Sequence, residues 1–232
     1  MEFKIDESTK ILVVTPHQDD ETIGCGGFLA LYGRQCDILL LTDGRFGISD
    51  SDDYEKNIKI RDKELDEAMK LVSVNKIFKL NIKNNELNKN KAVVRQFNIK
   101  DYDLILLPNR KEAHCDHRPI LNIFRTMKIS QRAKASIYEY EVWTPLLNPT
   151  NILDIGLVIE TKRKMLKKYK SQLKEKNYLE AAIGLNRYRG LAYDNEYGEA
   201  YMNSSYNPMF GKLYELLPEK LKEKIRKMLG GK

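Results

Sequence analysis

Short runs of apolar, β-branched residues alternate along the chain with longer stretches in which apolar positions recur every three or four residues. The short runs predict strands over Ile11–Thr15, Asp37–Leu41, Lys76–Ile82, Asp103–Pro108 and Ser136–Val142. The longer stretches predict helices near Glu21–Arg34, Tyr54–Val72 and Arg118–Ile129. Three of the strand runs, Ile11–Val14, Asp37–Leu41 and Asp103–Leu107, are almost uninterruptedly apolar, as expected of strands covered on both faces. Strands of that kind alternating with helices define an α/β fold with a doubly wound, mostly parallel, Rossmann-like sheet.

Beyond Asn148 the pattern changes. A basic helix is predicted over about Leu157–Lys176, followed by Tyr-rich, Gly-punctuated sequence to Phe210. No linker or repeat separates this part, so residues 1–210 are expected to form one domain, with residues 211–232 as a helical C-terminal extension. In that extension Leu213, Leu216, Leu217, Leu221, Ile225, Met228 and Leu229 recur at helical spacing among lysines. The strip can dock on the domain or, beyond Pro218, lie on an anionic membrane surface.

With 232 residues, 42% hydrophobic and 31% charged, the chain is long enough for a full core without staples. The three cysteines, Cys25, Cys36 and Cys115, form no short-spaced pair. The first ten residues lack the apolar stretch of a signal peptide, and no apolar run approaches a bilayer span, so a cytoplasmic protein is expected. The net charge of +7 is concentrated toward the end, where Lys212–Lys232 carries seven basic and three acidic residues. No nucleic-acid-binding module accompanies it, and no nucleic-acid partner is expected.

Candidate chemistry gathers after two strands. Pro16-His17-Gln18-Asp19-Asp20-Glu21 follows the first, and Asn109-Arg110-Lys111-Glu112-Ala113-His114-Cys115-Asp116-His117 follows the fourth. Ligands of open α/β sheets bind at the carboxyl ends of strands, so all three histidines of the chain stand where a site would form. Imidazole and carboxylate at one sheet edge make a plausible N/O site for zinc. The glycines Gly24, Gly26 and Gly27 do not make a dinucleotide site: they miss the G-x-G-x-x-G spacing, and Asp19, Asp20 and Glu21 would repel a pyrophosphate. Cys115 is expected to be a small packing residue rather than a ligand or nucleophile. Tyrosines between Asn186 and Tyr201 are expected mainly to cover the sheet.

His17-Gln18-Asp19-Asp20-Glu21 and His114-Cys115-Asp116-His117 resemble the paired H-P-D-D-E and H-P-D-H motifs of the PIG-L (LmbE-like) zinc-dependent N-acetylglucosaminyl deacetylases. Further likeness lies in Leu41-Thr42-Asp43-Gly44, in Arg61 with Glu64 and Ala68, in Lys162 with Ser171-Gln172, in Tyr188-Arg189-Gly190, and in Tyr197-Gly198-Glu199-Ala200-Tyr201. Gln18 and Cys115 stand where the family usually has proline. The resemblance implies one zinc per chain held by His17, Asp20 and His117, with Asp19 as general base. It further implies His114 as oxyanion stabiliser with Asp116 orienting its ring, and Arg61, Thr42 and Asp43 facing the substrate. The implied activity is removal of acetyl from an N-acetylglucosamine-containing glycoside or glycoconjugate. A metal-dependent esterase or phosphoesterase and a non-catalytic protein binding an anionic surface are the alternatives.

Overall fold

The computed structural model describes residues 3–204 together with 218, 219 and 221. Apart from 218, 219 and 221, the predicted C-terminal helix over residues 211–232 lies outside these described residues.

Seven strands form one sheet: β1 (Ile11–Thr15), β2 (Cys36–Thr42), β3 (Lys76–Ile82), β4 (Leu104–Pro108), β5 (Ser136–Tyr140), β6 (Asn151–Asp154) and β7 (Gly198–Asn203), in the order β3-β2-β1-β4-β5-β7-β6. The first five are parallel neighbours, as their apolar runs predict, and β7 joins β5 and β6 antiparallel. The two strands near the C-terminus escape sequence patterning because each is short and largely polar, Asn-Ile-Leu-Asp and Gly-Glu-Ala-Tyr-Met-Asn.

Alternate residues of β1 face opposite cores. Ile11 and Val13 join one apolar cluster with Phe28, Leu65 and Tyr201, whereas Leu12 and Val14 join another with Leu121, Phe124 and Ile137. Helices cover both faces: α1 (Asp20–Tyr32), α2 (Tyr54–Lys70), α3 (Lys91–Arg95), α4 (Ile120–Ser130), α5 (Ile159–Leu166), α6 (Lys170–Glu175) and α7 (Leu179–Leu191). The basic helix predicted as one piece over 157–176 is two, α5 and α6. The break falls at Tyr169, whose φ of −79° and ψ of 58° are not helical and whose buried hydroxyl reaches Glu21 and Thr22 on α1. No helix among the described residues is long and apolar enough to cross a membrane.

Helix α1 is itself interrupted at Cys25, where φ is −129° and ψ 15°. An interruption strands backbone groups that need partners. Here the Glu199 carboxylate of β7 accepts from the N–H groups of Gly27 at 2.7 Å and Phe28 at 2.8 Å. Lys162 of α5 donates to the Ile23 carbonyl at 2.8 Å and to Glu199 at 2.7 Å, and Tyr201 donates to Glu199 at 2.9 Å. This buried group fixes the first turn of α1, which carries Asp20.

The same turn packs tightly on β5. A Cβ added at Gly24 would overlap the Tyr140 ring and come within 2.6 Å of the Glu141 carbonyl. The ring has little freedom to yield, because its hydroxyl donates to the Val14 carbonyl at 2.8 Å. Gly24→Ala should therefore destabilise the protein by about 1–3 kcal/mol in urea or thermal denaturation. A variant as stable as wild type would show that the turn has room to shift.

Candidate active site

Strands β1 and β4 are adjacent, and the chain leaves them toward opposite sides of the sheet. A crevice opens at such a switch point, at the carboxyl ends of the strands. Its two walls are the loop from Pro16 to Asp19 and the loop from Asn109 to Pro119.

Three donor atoms converge there. Asp20 Oδ2 lies 3.1 Å from His17 Nδ1 and 3.1 Å from His117 Nε2, and the two ring nitrogens are 3.3 Å apart. Edges of roughly 3.3 Å are what tetrahedral coordination at about 2.0–2.1 Å requires. Two imidazole nitrogens and a carboxylate oxygen are donors that zinc takes, and their three separations suit one coordination sphere. The residues therefore fit a zinc-sized ion. Without metal, burial opposes charge on His17, but its bonds to Asp116 and Asp20 prevail and raise the ring to about 9. A bound cation would take the place of that proton. Burial likewise opposes charge on Asp20, yet His117 and His17 hold its carboxyl far below the usual carboxylate range.

The three histidines also offer ring nitrogens within 4.8 Å of one another. His114 differs from the other two in being at the rim, its side chain 38% exposed. The backbone N–H of Asp116 donates to His114 Nδ1 at 3.1 Å, which leaves the ring proton of a neutral His114 on Nε2. Burial and the nearby His17 and His117 push this ring down to about 4, so it is neutral at pH 7.

The Asp116 carboxylate does not hold His114, from which it lies 4.0 Å. It is turned instead to His17 Nε2 at 3.3 Å, and it accepts from Asn84 Nδ2 at 3.1 Å and from the N–H groups of Asn85 at 2.7 Å and Leu87 at 3.2 Å. These donors overcome burial and keep Asp116 at about 2. The pull of the Asn84–Leu87 amides explains the departure from expectation: the loop after β3 draws the carboxylate away from His114 and onto the ring of a candidate metal ligand.

Asp19 caps α1, its carbonyl accepting from Thr22 and Ile23, and its backbone sits at φ 135°, where a side chain is strained. Its carboxylate accepts from the Tyr178 hydroxyl at 3.1 Å and lies 3.4 Å from Arg61 Nη2. Burial raises its pKa to about 7, against the opposing pull of Arg61. Two neighbouring carboxyl groups are thus driven apart, Asp20 staying ionised and Asp19 poised near neutrality.

The three residues expected to face the substrate, Arg61, Thr42 and Asp43, are buried and hydrogen-bonded to the surrounding loops. Arg61 is buried, giving Nη2 to the Gln18 carbonyl at 2.7 Å and Nη1 to the Gly44 carbonyl at 3.1 Å, and it braces Asp19. Gly44, at φ 65°, admits the guanidinium because a Cβ there would stand 2.8 Å from Nη1. Thr42 donates to the Pro16 carbonyl at 2.7 Å, and Asp43 is taken up by Arg45 and the Asn84 N–H. These bonds hold the loops in shape, while the buried Nε of Arg61 has no hydrogen-bond partner among the described residues. Gln18, in place of a proline, donates to Asp62 at 2.9 Å.

Sequence reading missed Tyr178, Asn84 and Trp143. Trp143, 44% exposed, meets Tyr178 edge-on at 5.7 Å, and both line a cleft of about 240 Å³ with Val142 and Leu185. Glu112 ties this wall to the histidine loop, accepting from the N–H groups of Val142, Trp143 and Thr144. Of the tyrosines expected to cover the sheet, Tyr201 packs in the core and Tyr197 against it, whereas Tyr188 and Tyr193 are exposed.

Fold and site together define an α/β protein with a crevice at the switch point of its sheet, in which two histidines and an aspartate could hold a metal ion. The sequence matches the PIG-L family, described as GlcNAc-PI de-N-acetylase, over residues 12–128, and the chain belongs to that family. No curated protein sequence matches it significantly. Among solved structures it resembles the N,N'-diacetylchitobiose deacetylase of Pyrococcus horikoshii, with 24% identity, TM-score 0.72, and 84% of this chain and 83% of that chain covered. The conserved protein TT1542 of Thermus thermophilus is similar at 22% identity and TM-score 0.70, covering 86% and 98%. GalB, the 4-carboxy-2-hydroxymuconate hydratase of Pseudomonas putida, is similar at 18% identity and TM-score 0.66, covering 86% and 97%. These likenesses establish the fold, and since that fold also carries a hydratase, the reaction must be argued from the site.

Proposed function

We propose that the protein is a metal-dependent N-deacetylase that hydrolyses the acetamido group of an N-acetylglucosamine-containing compound. Family membership supports the reaction class. The observation that carries the reading is the separation of the two adjacent carboxyls, one held ionised against His17 and His117 and the other raised to about 7 by burial.

In this reading His17, Asp20 and His117 hold zinc. When bound, zinc supplies a charge that makes water acidic near neutral pH and polarises an amide carbonyl. Asp19 takes the proton of the attacking water and passes it to the departing amine, so that amide and water become acetate and amine. Tyr178 and Arg61 keep Asp19 aimed at the crevice. His114, neutral with its proton on Nε2, donates to the oxygen on which negative charge develops. Asp116 fixes the ring of His17. The exposed face of Trp143 offers a stacking surface for the sugar or its aglycone. The phosphoesterase alternative calls for a second metal, and the Asp116 carboxylate beside His17 is already engaged by His17, Asn84, Asn85 and Leu87.

Acetate release from N-acetylglucosamine glycosides, sugar nucleotides and lipid-linked sugars tests the proposal. Release should stop on chelation and return with zinc. A zinc-loaded protein that frees no acetate from any of them would overturn it. Removing one donor with His17→Ala, Asp20→Ala or His117→Ala should also lower metal content sharply from about one zinc per chain by elemental analysis. Full occupancy in all three variants would place the metal elsewhere.

A further inference from the structure

The loop that carries His114 and Asp116 also borders a second cleft, of about 370 Å³, on its outer side. Lys91 and Arg95 stand one turn apart on α3, Asn122 and Thr126 one turn apart on α4, and Arg118 lies in the turn just before α4, so the two helices form its walls. Three cations line this cleft and no carboxylate does. Some other surface cations are paired, Lys79 with Asp62 and Asp66, Lys83 with Glu86, and Arg163 with Glu160 and Glu180. Among the described residues no carboxylate lies within ion-pair distance of Lys91, Arg95 or Arg118. A concavity lined by one sign of charge concentrates counter-ions, and guanidinium forks beside amide and hydroxyl donors match the several acceptor oxygens of a phosphoryl group. Its lining includes Cys115, the exposed residue between His114 and Asp116, so the cleft and the crevice share one loop.

We propose that the cleft between α3 and α4 binds a phosphate group. The phosphate has two potential sources, a phosphorylated substrate whose acetamido group reaches the crevice, or a separate phosphorylated small molecule. The first source rests on the deacetylase reading and the second does not.

Inorganic phosphate is the probe, titrated by calorimetry into the full chain. The variant K91Q/R95Q/R118Q should bind it about tenfold or more weakly than wild type, whereas K59Q/K63Q/K70Q, which removes the same charge from exposed positions of α2, should bind it as wild type does. Equal affinity in wild type and K91Q/R95Q/R118Q would overturn the proposal, and no turnover is needed to see it. Acetate release then separates the sources. If the phosphate rides on the substrate, K91Q/R95Q/R118Q should raise KM for N-acetylglucosamine 1-phosphate about tenfold and leave N-acetylglucosamine unaffected. If phosphate binding is lost while both KM values stay unchanged, the cleft serves a separate phosphorylated ligand.

Discussion

Asp19→Asn should leave the metal content of the protein unchanged and slow acetate release about 10²- to 10⁴-fold, the usual cost of removing a general base. The amide is close in size to the carboxylate and can keep its bond to the Tyr178 hydroxyl, so the loop and the His17–Asp20–His117 cluster stay in place. What it cannot do is accept the proton of water. The pH dependence gives a second readout. Burial raises Asp19 to about 7 in the metal-free protein, and only the ionised form is a base, so activity rises with pH through its pKa. A bound cation nearby favours the anion, and the acid limb of the loaded enzyme should fall at or below about 7. That limb should vanish in Asp19→Asn. Near-normal release by the variant would assign the proton transfer to another group.

The ligand-bearing half of the site is legible in the sequence because its chemistry is local: His17, Asp19 and Asp20 share one turn, and His114, Asp116 and His117 another, each behind an apolar strand. Which partner each residue takes is not local. Asp116 is read naturally as serving His114, two positions away, yet amides from residues 84–87 turn it toward His17. Tyr178 reaches Asp19 from 159 residues on, and nothing in its surroundings in the sequence marks it. The fold shows the same division. Strands β1 to β5 announce themselves as apolar runs, whereas β7 exists because the edge of β5 accepts it and β6 because β7 does.

The second large effect is expected at Lys162. Its side chain is fully buried, as is that of Glu199, and Lys162→Met would leave the Glu199 carboxylate in the core without its cation. Losing one member of a buried pair costs about 3–5 kcal/mol, which in a chain of this size lowers Tm by on the order of 10 °C. The remaining donors, Gly27, Phe28 and Tyr201, offset only part of the charge. The double variant Lys162→Met/Glu199→Leu should recover part of the loss, since no buried charge remains, although the N–H groups of Gly27 and Phe28 then go unpaired. Thermal denaturation of the metal-free chain decides it. A single variant within about 1 kcal/mol of wild type would mean that water reaches Glu199 or that the carboxyl takes up a proton at little cost.

Because β1 and β4 lie side by side, His17 and His117 meet across 100 residues of chain. A cation gripped by both would be a reversible staple across the middle of the fold, present only in the folded state. Its contribution scales with supply: free metal at about a hundred times its Kd adds about 2.7 kcal/mol. The same chain in a metal-starved cell would then be easier to unfold and quicker to be degraded as well as idle, so metal availability would set how much of the protein persists and not only how fast it works.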